Sequence, residues 1–358
     1  MGIPVSRLQC GETRDRIIYY SIEIVYFTLA IRNLEVADTA LRKAMIQSRA
    51  VLTIAALALS GCMMASKAPV ETLRIGYQKW STFSILKASG ELARSFEPKG
   101  VRIVWTEFPS GPPLLEALNA GSIDIGHTGD SPPLFAQAAG IPFVYFAASS
   151  ASPESSGILV KRESPIHQAS DLRGRRIGFA KGTSAHTMVL RYLEGNGLSL
   201  ADITAMYLAP ADGRGALESG SIDAWSAWDP YLAAAEEQGL YRKLATGKGF
   251  VDGREYYLAS GRMAEKSPQR LKEFLSELES VKAWARAHHA EVNRFLAAET
   301  GIPLDAVAMA EERRNRYDTE QVGAGLIASQ QALADRYLQL GLLPKRIDVK
   351  TAVLALAP

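Results

Sequence analysis

The sequence predicts an α/β protein of two similar lobes, two parallel or mixed sheets with a cleft and a hinge between them. Two observations carry this expectation. First, one pattern occurs twice in the same order: Arg74-Ile75-Gly76-Tyr77-Gln78-Lys79 recurs as Arg176-Ile177-Gly178-Phe179-Ala180-Lys181. Ala117-Leu118-Asn119-Ala120-Gly121-Ser122-Ile123-Asp124 then recurs as Ala216-Leu217-Glu218-Ser219-Gly220-Ser221-Ile222-Asp223, followed by Asp130, Ala136 and Gly140 matching Asp229, Ala235 and Gly239. Second, short apolar runs alternate with amphipathic stretches inside each copy, the mark of βαβ units.

Each copy opens with a strand (residues 73–77; 176–179), a hydroxyl-rich turn and a helix (84–96; 184–195). A second strand (101–107; 203–208), a Pro/Gly loop and a second helix follow. That helix ends at Gly121 or Gly220, where a C-cap glycine belongs, before a strand carrying Ile123 or Ile222. Lobe one is expected over 71–157 and lobe two over 158–255. Residues 256–358 return to lobe one, with a strand at 256–259 and helices at 268–286, 291–298 and 320–340. These helices are apolar on one face and so pack back on lobe one.

The 358 residues are 47% hydrophobic and 22% charged, as in a soluble globular protein of about two domains. From Cys62 onward basic and acidic residues balance, so no long-range basic field attracts nucleic acid, and anion selectivity must come from a local site. The two cysteines, Cys10 and Cys62, lie ahead of both lobes, which excludes a disulfide framework or cysteine-based metal site within them. Residues 45–61 combine a basic residue, Arg49, with a short apolar run and a small-residue junction, as secretory signals do. The run is too short to span a bilayer. Leu59-Ser60-Gly61-Cys62 resembles a bacterial lipobox. That resemblance implies an acylated Cys62 as mature N-terminus, a linker at 62–70 and a protein of the periplasm or cell envelope, anchored to the membrane by lipid. Residues 1–44 read as a gene-model extension or a disordered segment ahead of Met45.

Open parallel sheets bind ligands beyond the carboxyl ends of their strands, so two facing lobes place their strand-end loops in one cleft. Gln78-Lys79-Trp80-Ser81-Thr82 and Lys181-Gly182-Thr183-Ser184-Ala185-His186 both offer a Lys and paired hydroxyls at a helix start. Free N–H groups and the helix dipole favour an anion there, whereas the same hydroxyls also serve as N-caps. His186 is either a ligand contact or a solvated helix residue. Ser110-Gly111-Pro112-Pro113 is a second helix-start loop, where Gly111 lets backbone approach a ligand closely. In the third, Thr128-Gly129-Asp130, the carboxylate is an N-cap or a polar acceptor. Trp225 and Trp228 precede Asp229, and Trp228 is the better candidate for a cleft wall because it abuts the loop. Asp212 and Arg214 are expected in a loop, with Arg214 free to pair with an anion or with Asp212.

These motifs resemble the aliphatic sulfonate-binding proteins of bacterial ABC transporters, relatives of the taurine and nitrate receptors. Trp105-Thr106-Glu107-Phe108-Pro109-Ser110-Gly111-Pro112, Thr128-Gly129-Asp130-Ser131-Pro132-Pro133, Phe135-Ala136-Gln137-Ala138-Ala139-Gly140 and Ala224-Trp225-Ser226-Ala227-Trp228-Asp229-Pro230 carry the likeness, with Tyr256-Tyr257-Leu258-Ala259. The resemblance implies a type II periplasmic-binding-protein fold, a small anionic organosulfur ligand, a permease and through it an ATPase as partners, and a role in sulfur supply. Trp80 stands where the pattern is expected to have Tyr or a smaller residue, and Asp130 where Glu is expected at least as often. The same receptor role for taurine, nitrate or a pyrimidine-like solute stays open. An enzyme is disfavoured: no cysteine follows Cys62, His127, His167, His186, His288 and His289 have no metal spacing, and no Walker-type loop occurs. No cofactor or metal is expected.

Overall fold

The structure, a computed structural model, describes residues 71–314 and 316–356. The signal expected at 45–61, Cys62 and its acylation, the linker at 62–70 and residues 1–44 lie outside the described residues. Among the described residues no helix is long and apolar enough to cross a membrane.

Strands β1 (Glu71–Tyr77), β2 (Val101–Glu107) and β3 (Ile125–Thr128) alternate with helices α1 (Thr82–Ser89), α2 (Glu91–Phe96) and α3 (Gly111–Asn119). Helix α4 (Ser131–Ala138) leads to β4 (Phe143–Ser149). The chain then crosses to β5 (Ser156–Lys161), and β6 (Arg176–Phe179), α5 (Ser184–Gly195), β7 (Thr204–Tyr207), α6 (Pro210–Ser219), β8 (Ala224–Trp228), α7 (Tyr231–Glu236) and β9 (Tyr241–Thr246) follow. It returns through residues 247–255 to β10 (Tyr256–Ser260). Helices α8 (Gly261–Lys266), α9 (Pro268–Ala287), α10 (His289–Thr300) and α11 (Leu304–Arg314), strand β11 (Thr319–Glu320) and helix α12 (Ala324–Gln339) complete it.

The sheets share one plan. The first runs β11-β4-β10-β3-β1-β2 and the second β7-β6-β8-β5-β9. In each, the strand that opens the repeat lies parallel between the other two strands of its unit, β1 between β2 and β3, β6 between β7 and β8. An antiparallel strand borders each trio, β10 beside β3 and β5 beside β8. Lobe two's strands form one contiguous stretch, whereas lobe one has β10 inserted between β3 and β4. Apolar layers cover both faces of each sheet, including Phe83, Phe96 and Phe274 on one side of the first and Leu114, Leu134 and Tyr337 on the other.

The repeated sequence pattern is a buckle. In lobe one Asp124 accepts from the Arg74 backbone N–H (3.0 Å), Nε (2.9 Å) and Nη2 (2.8 Å), and Arg74 also donates to the Gly121 carbonyl. In lobe two Asp223 accepts from the Arg176 N–H (2.8 Å), Nε (3.1 Å) and Nη2 (3.0 Å), and Arg176 donates to the Gly220 carbonyl at 2.9 Å. A fork-to-fork pair of this kind is strong and directional. It ties the first strand of each unit to the start of the third.

Three elements differ from expectation. The helix expected over 84–96 is two, because Gly90 adopts φ 67° and ends α1. Helix α11 was not anticipated, its 3.6-residue pattern being weakened by Glu and Arg. The helix expected from residue 320 starts at Ala324, because Glu320 pairs with Ala148 as a strand. Replacing Asp124 by Ala strips a charged acceptor from the three Arg74 donors and from Arg262 Nη2, 3.4 Å away, so it is expected to lower the unfolding free energy by about 1.5–3 kcal/mol in urea titration. An unchanged midpoint would show that the buckle is dispensable.

Candidate functional site

The carboxyl ends of β1, β3, β6 and β8 and both crossings enclose a cavity of about 90 Å³. Of the residues anticipated from sequence, Gln78, Lys79, Trp80, Gly111, Gly129, Thr183, Ser184, Trp228 and Asp229 line it, joined by His127, Pro132, Ser155, Ser156, Gly253, Arg254 and Glu255.

The lobe-one wall is fixed by Gln78. Its backbone N–H donates to His127 Nε2 (3.1 Å) and its side-chain amide donates to the His127 carbonyl (3.0 Å). An accepting Nε2 places the imidazole proton on Nδ1, and burial holds the His127 pKa below its ordinary value, so the ring is neutral. His127 Nδ1 is buried with no hydrogen-bond partner, its nearest carboxylate oxygen being Glu255 Oε1 at 3.8 Å. Trp80 has φ 56°, rare for a bulky residue, and its indole Nε1 is likewise buried and unpartnered. Lys79 is half exposed, 3.7 Å from Glu107.

The lobe-two wall differs from its counterpart at the helix start. Helix α1 carries its own cap, the Ser84 N–H donating to Ser81 Oγ at 3.1 Å. Helix α5 has no side-chain cap, because the Thr183 hydroxyl donates to the Ala180 carbonyl at 2.7 Å instead. Its first N–H groups are the orphan donors that attract anions. Trp228 stands edge-on to Tyr231, whereas Trp225 is buried in the core of lobe two. Asp229 is 1% exposed. Burial pushes its pKa up to about 7 against the pull of Arg313, 3.1 Å away.

The crossings supply the rest. They run side by side, the Ser152 N–H donating to the Asp252 carbonyl and the Ser149 N–H to the Glu255 carbonyl, each at 2.8 Å. Arg254 donates to the Ser149 carbonyl (2.8 Å) and pairs with Glu320 (2.8 Å), while its Nε is buried without a hydrogen-bond partner. No signal in the duplicated pattern marks these residues, because junctions between copies have no counterpart to align with.

Half of the anticipated residues do not line the cavity, each for a physical reason. Ser81 caps α1, and the Thr82 hydroxyl bonds Tyr257 at 3.2 Å. Ser110 is buried at the start of α3, and Thr128 donates to the Gly129 carbonyl at 3.0 Å. Asp130 neither caps α4 nor faces the cavity. It is half-buried, with a pKa raised by desolvation, and accepts from Ser131 (3.2 Å) and Thr187 (3.4 Å) where the lobes meet. Gly182, at φ 71°, makes the turn ahead of Thr183. His186 is not solvated and does not line the cavity: it stacks between Phe179 and Tyr337, and burial depresses its pKa to about 4. Asp212 and Arg214 sit exposed within α6 rather than in a loop. Among the described residues no group of His, Cys, Asp and Glu is arranged to hold a metal.

The lobes touch over the cavity. Ser131, Thr187 and Tyr337 share hydroxyl hydrogen bonds across the gap, Tyr337 lying 2.9 Å from Ser131 and 3.0 Å from Thr187. Gly129 allows a close approach there, since a Cβ on it would lie 2.0 Å from Ser184 Oγ, which would have to turn away. The cleft is closed.

A family model described as NMT1/THI5 like matches residues 96–292 of this sequence. The chain belongs to the NMT1/THI5-like family. The family match takes in β2, all of lobe two and both crossings. A protein of Escherichia coli strain K12 named as an aliphatic sulfonates-binding protein is 39% identical over 297 residues, covering 83% of this chain and 93% of that protein. The fold is shared with the alkanesulfonate-binding protein SsuA from Xanthomonas axonopodis pv. citri bound to MOPS, at 39% identity and a TM-score of 0.77, over 81% of this chain and 100% of that one. It is shared also with the periplasmic aliphatic sulphonate binding protein SsuA from E. coli, at 40% identity and a TM-score of 0.73, over 79% of this chain and 97% of that one. These family members are named for binding rather than for catalysis.

Two outcomes follow from the geometry. Gly129→Ala is expected to prop the lobes apart, enlarging the radius of gyration in small-angle scattering, and adding Ser184→Gly to restore it. Equal radii for wild type and Gly129→Ala would remove the contact from the closing geometry. Asp229, with a folded pKa above its unfolded value near 4, contributes stability that is present below pH ~4 and lost as the pH rises through about 7. The thermal midpoint of the wild type relative to Asp229→Asn is therefore expected to fall between pH 4 and 8, and a constant difference would refute the assignment.

Proposed function

We propose that the chain is an extracytoplasmic receptor of an ABC importer, binding aliphatic sulfonates in the interlobe cleft and delivering them to the permease for sulfur assimilation. The observation that carries this reading is the lining of one small cavity by Trp80, His127 and Arg254, each with a buried ring or guanidinium nitrogen that has no hydrogen-bond partner, together with Thr183 and Ser184 at the start of α5, which has no side-chain cap. A buried donor left unpaired is costly, and an anion with three acceptor oxygens relieves several at once. A sulfonate is such a group and stays charged without a proton. Trp80, Pro132 and Trp228 offer apolar surface for its carbon chain. The names of the relatives agree in ligand class.

In this reading Gln78, Lys79, Gly111, Gly129, Thr183, Ser184 and Asp229 complete the binding wall. The permease and its ATPase are the partners, and acylation of Cys62 tethers the receptor to the membrane of the cell envelope. The site performs no covalent chemistry. The carboxylates of Asp229 and Glu255 in the same lining favour a second reading, an aminosulfonate such as taurine, over nitrate, which has no cationic end to meet them.

A thermal-shift series with alkanesulfonates, taurine, sulfate, nitrate and pyrimidines tests the proposal. A ligand at 100 times its dissociation constant stabilises by about 2.7 kcal/mol, and an alkanesulfonate is expected to give the largest shift. Arg254→Gln is expected to reduce that shift, measured from the variant's own ligand-free midpoint, which falls with the lost bonds to Ser149 and Glu320. A large shift with nitrate or a pyrimidine and none with any sulfonate would overturn the ligand class.

A further inference from the structure

Behind the cavity, and outside its lining, two consecutive arginines end helix α11. Each grips a different wall. The Arg314 guanidinium lies over the Trp80 ring, 3.9 Å from its centroid, and its Nη2 donates to the Trp80 carbonyl at 2.9 Å. It is held by Glu311 at 3.1 Å. Arg313 reaches into lobe two: its Nη1 donates to Asp229 Oδ1 at 3.1 Å and its Nη2 to the Glu236 carboxylate. The carbonyl of Arg313 accepts from Ser152 Oγ at 2.9 Å, which ties the same helix end to a crossing. Both side chains are nearly buried, at 11% and 9% exposure.

We infer that Arg313 and Arg314 are positioning residues that set the width of the binding slot, holding the Trp80 wall of lobe one and the Trp228–Asp229 wall of lobe two at a fixed separation in the closed cleft. Neither touches the cavity, so neither contributes a ligand contact of its own. Adjacent residues on one helix end have little freedom relative to each other, which makes the pair a short rigid gauge between the two lobes. The grip on Trp80 matters because a left-handed backbone is unfavourable for a bulky residue and persists only where its surroundings enforce it. Planar guanidinium groups suit both tasks, stacking on an indole and forking onto carboxylates. A slot of set width discriminates ligands by the size of the group behind the sulfonate. The inference rests on the sulfonate reading for its choice of ligands, though not for its first readout.

The test uses the mature chain with Arg313→Gln and Arg314→Gln made singly, and Glu311→Gln added to the second if Glu311 left alone prevents folding. The indole N–H resonances of Trp80 and Trp228 are recorded without ligand. Dissociation constants for ethanesulfonate and for MOPS are then measured by calorimetry. Arg314→Gln is expected to move the Trp80 resonance and leave that of Trp228, and Arg313→Gln to do the reverse. Each variant is expected to shift the ratio of the two affinities by about tenfold in favour of MOPS, the scale of one methylene in a closed pocket. Unmoved resonances, or both affinities changed by the same factor, would overturn the gauge. If the wild type binds neither sulfonate, the receptor reading fails, and the resonances alone decide the role of the two arginines.

Discussion

Everything in the cleft depends on the paired Arg–Asp buckles at the base of the two sheets. Arg74–Asp124 and Arg176–Asp223 each join the first strand of a unit to the beginning of its third, with backbone and side-chain donors converging on one carboxylate. The join fixes how far along the sheet each strand ends. The loops at Gln78 and Thr128, and those at Ala180 and Trp228, therefore emerge at matched heights and face one another. Close packing reinforces the register, since a Cβ on Gly76 or Gly178 would lie 2.5 Å from Ile123 or Ile222.

Because the buckle needs the same residues wherever it is built, it was the most legible part of the sequence. Arg, Gly and Asp at those positions exposed the duplication, and the duplication implied two sheets. The cleft followed from general behaviour of α/β folds. What remained hidden has a common cause: it lies where the copies are not equivalent. Ser155, Gly253, Arg254 and Glu255 sit in the crossings, which occur once each. Thr183 and Ser81 look alike in sequence, yet one caps its helix and the other turns its hydroxyl to a carbonyl. Only three-dimensional context separates them. The surroundings of His186 and Asp130 are hidden from the sequence for a similar reason, since the aromatic stack around the one and the interlobe hydroxyl cluster beside the other recruit Tyr337 from far along the chain.

The distribution of charge explains how a near-neutral protein suits an anion. Long-range attraction is absent, and the cavity itself holds carboxylates as well as cations. Burial pushes the Asp229 pKa to about 7, and His127 remains neutral. On the proposed reading, recognition rests on an indole, an imidazole, a guanidinium and a helix start without a side-chain cap, and it selects for geometry and number of acceptor oxygens more than for total charge.

The position of β10 has a further consequence for how the molecule is made. Tyr256–Ser260 fills the gap between β3 and β4, yet it follows the whole of lobe two in the chain. A polypeptide emerging from its N-terminus therefore presents two unsatisfied strand edges in lobe one while lobe two, contiguous in sequence, already has every strand it needs. Bare edges invite pairing with neighbouring chains. The half that appears first is thus the half that matures last, and the nascent protein is most exposed to aggregation in the interval before its final third arrives.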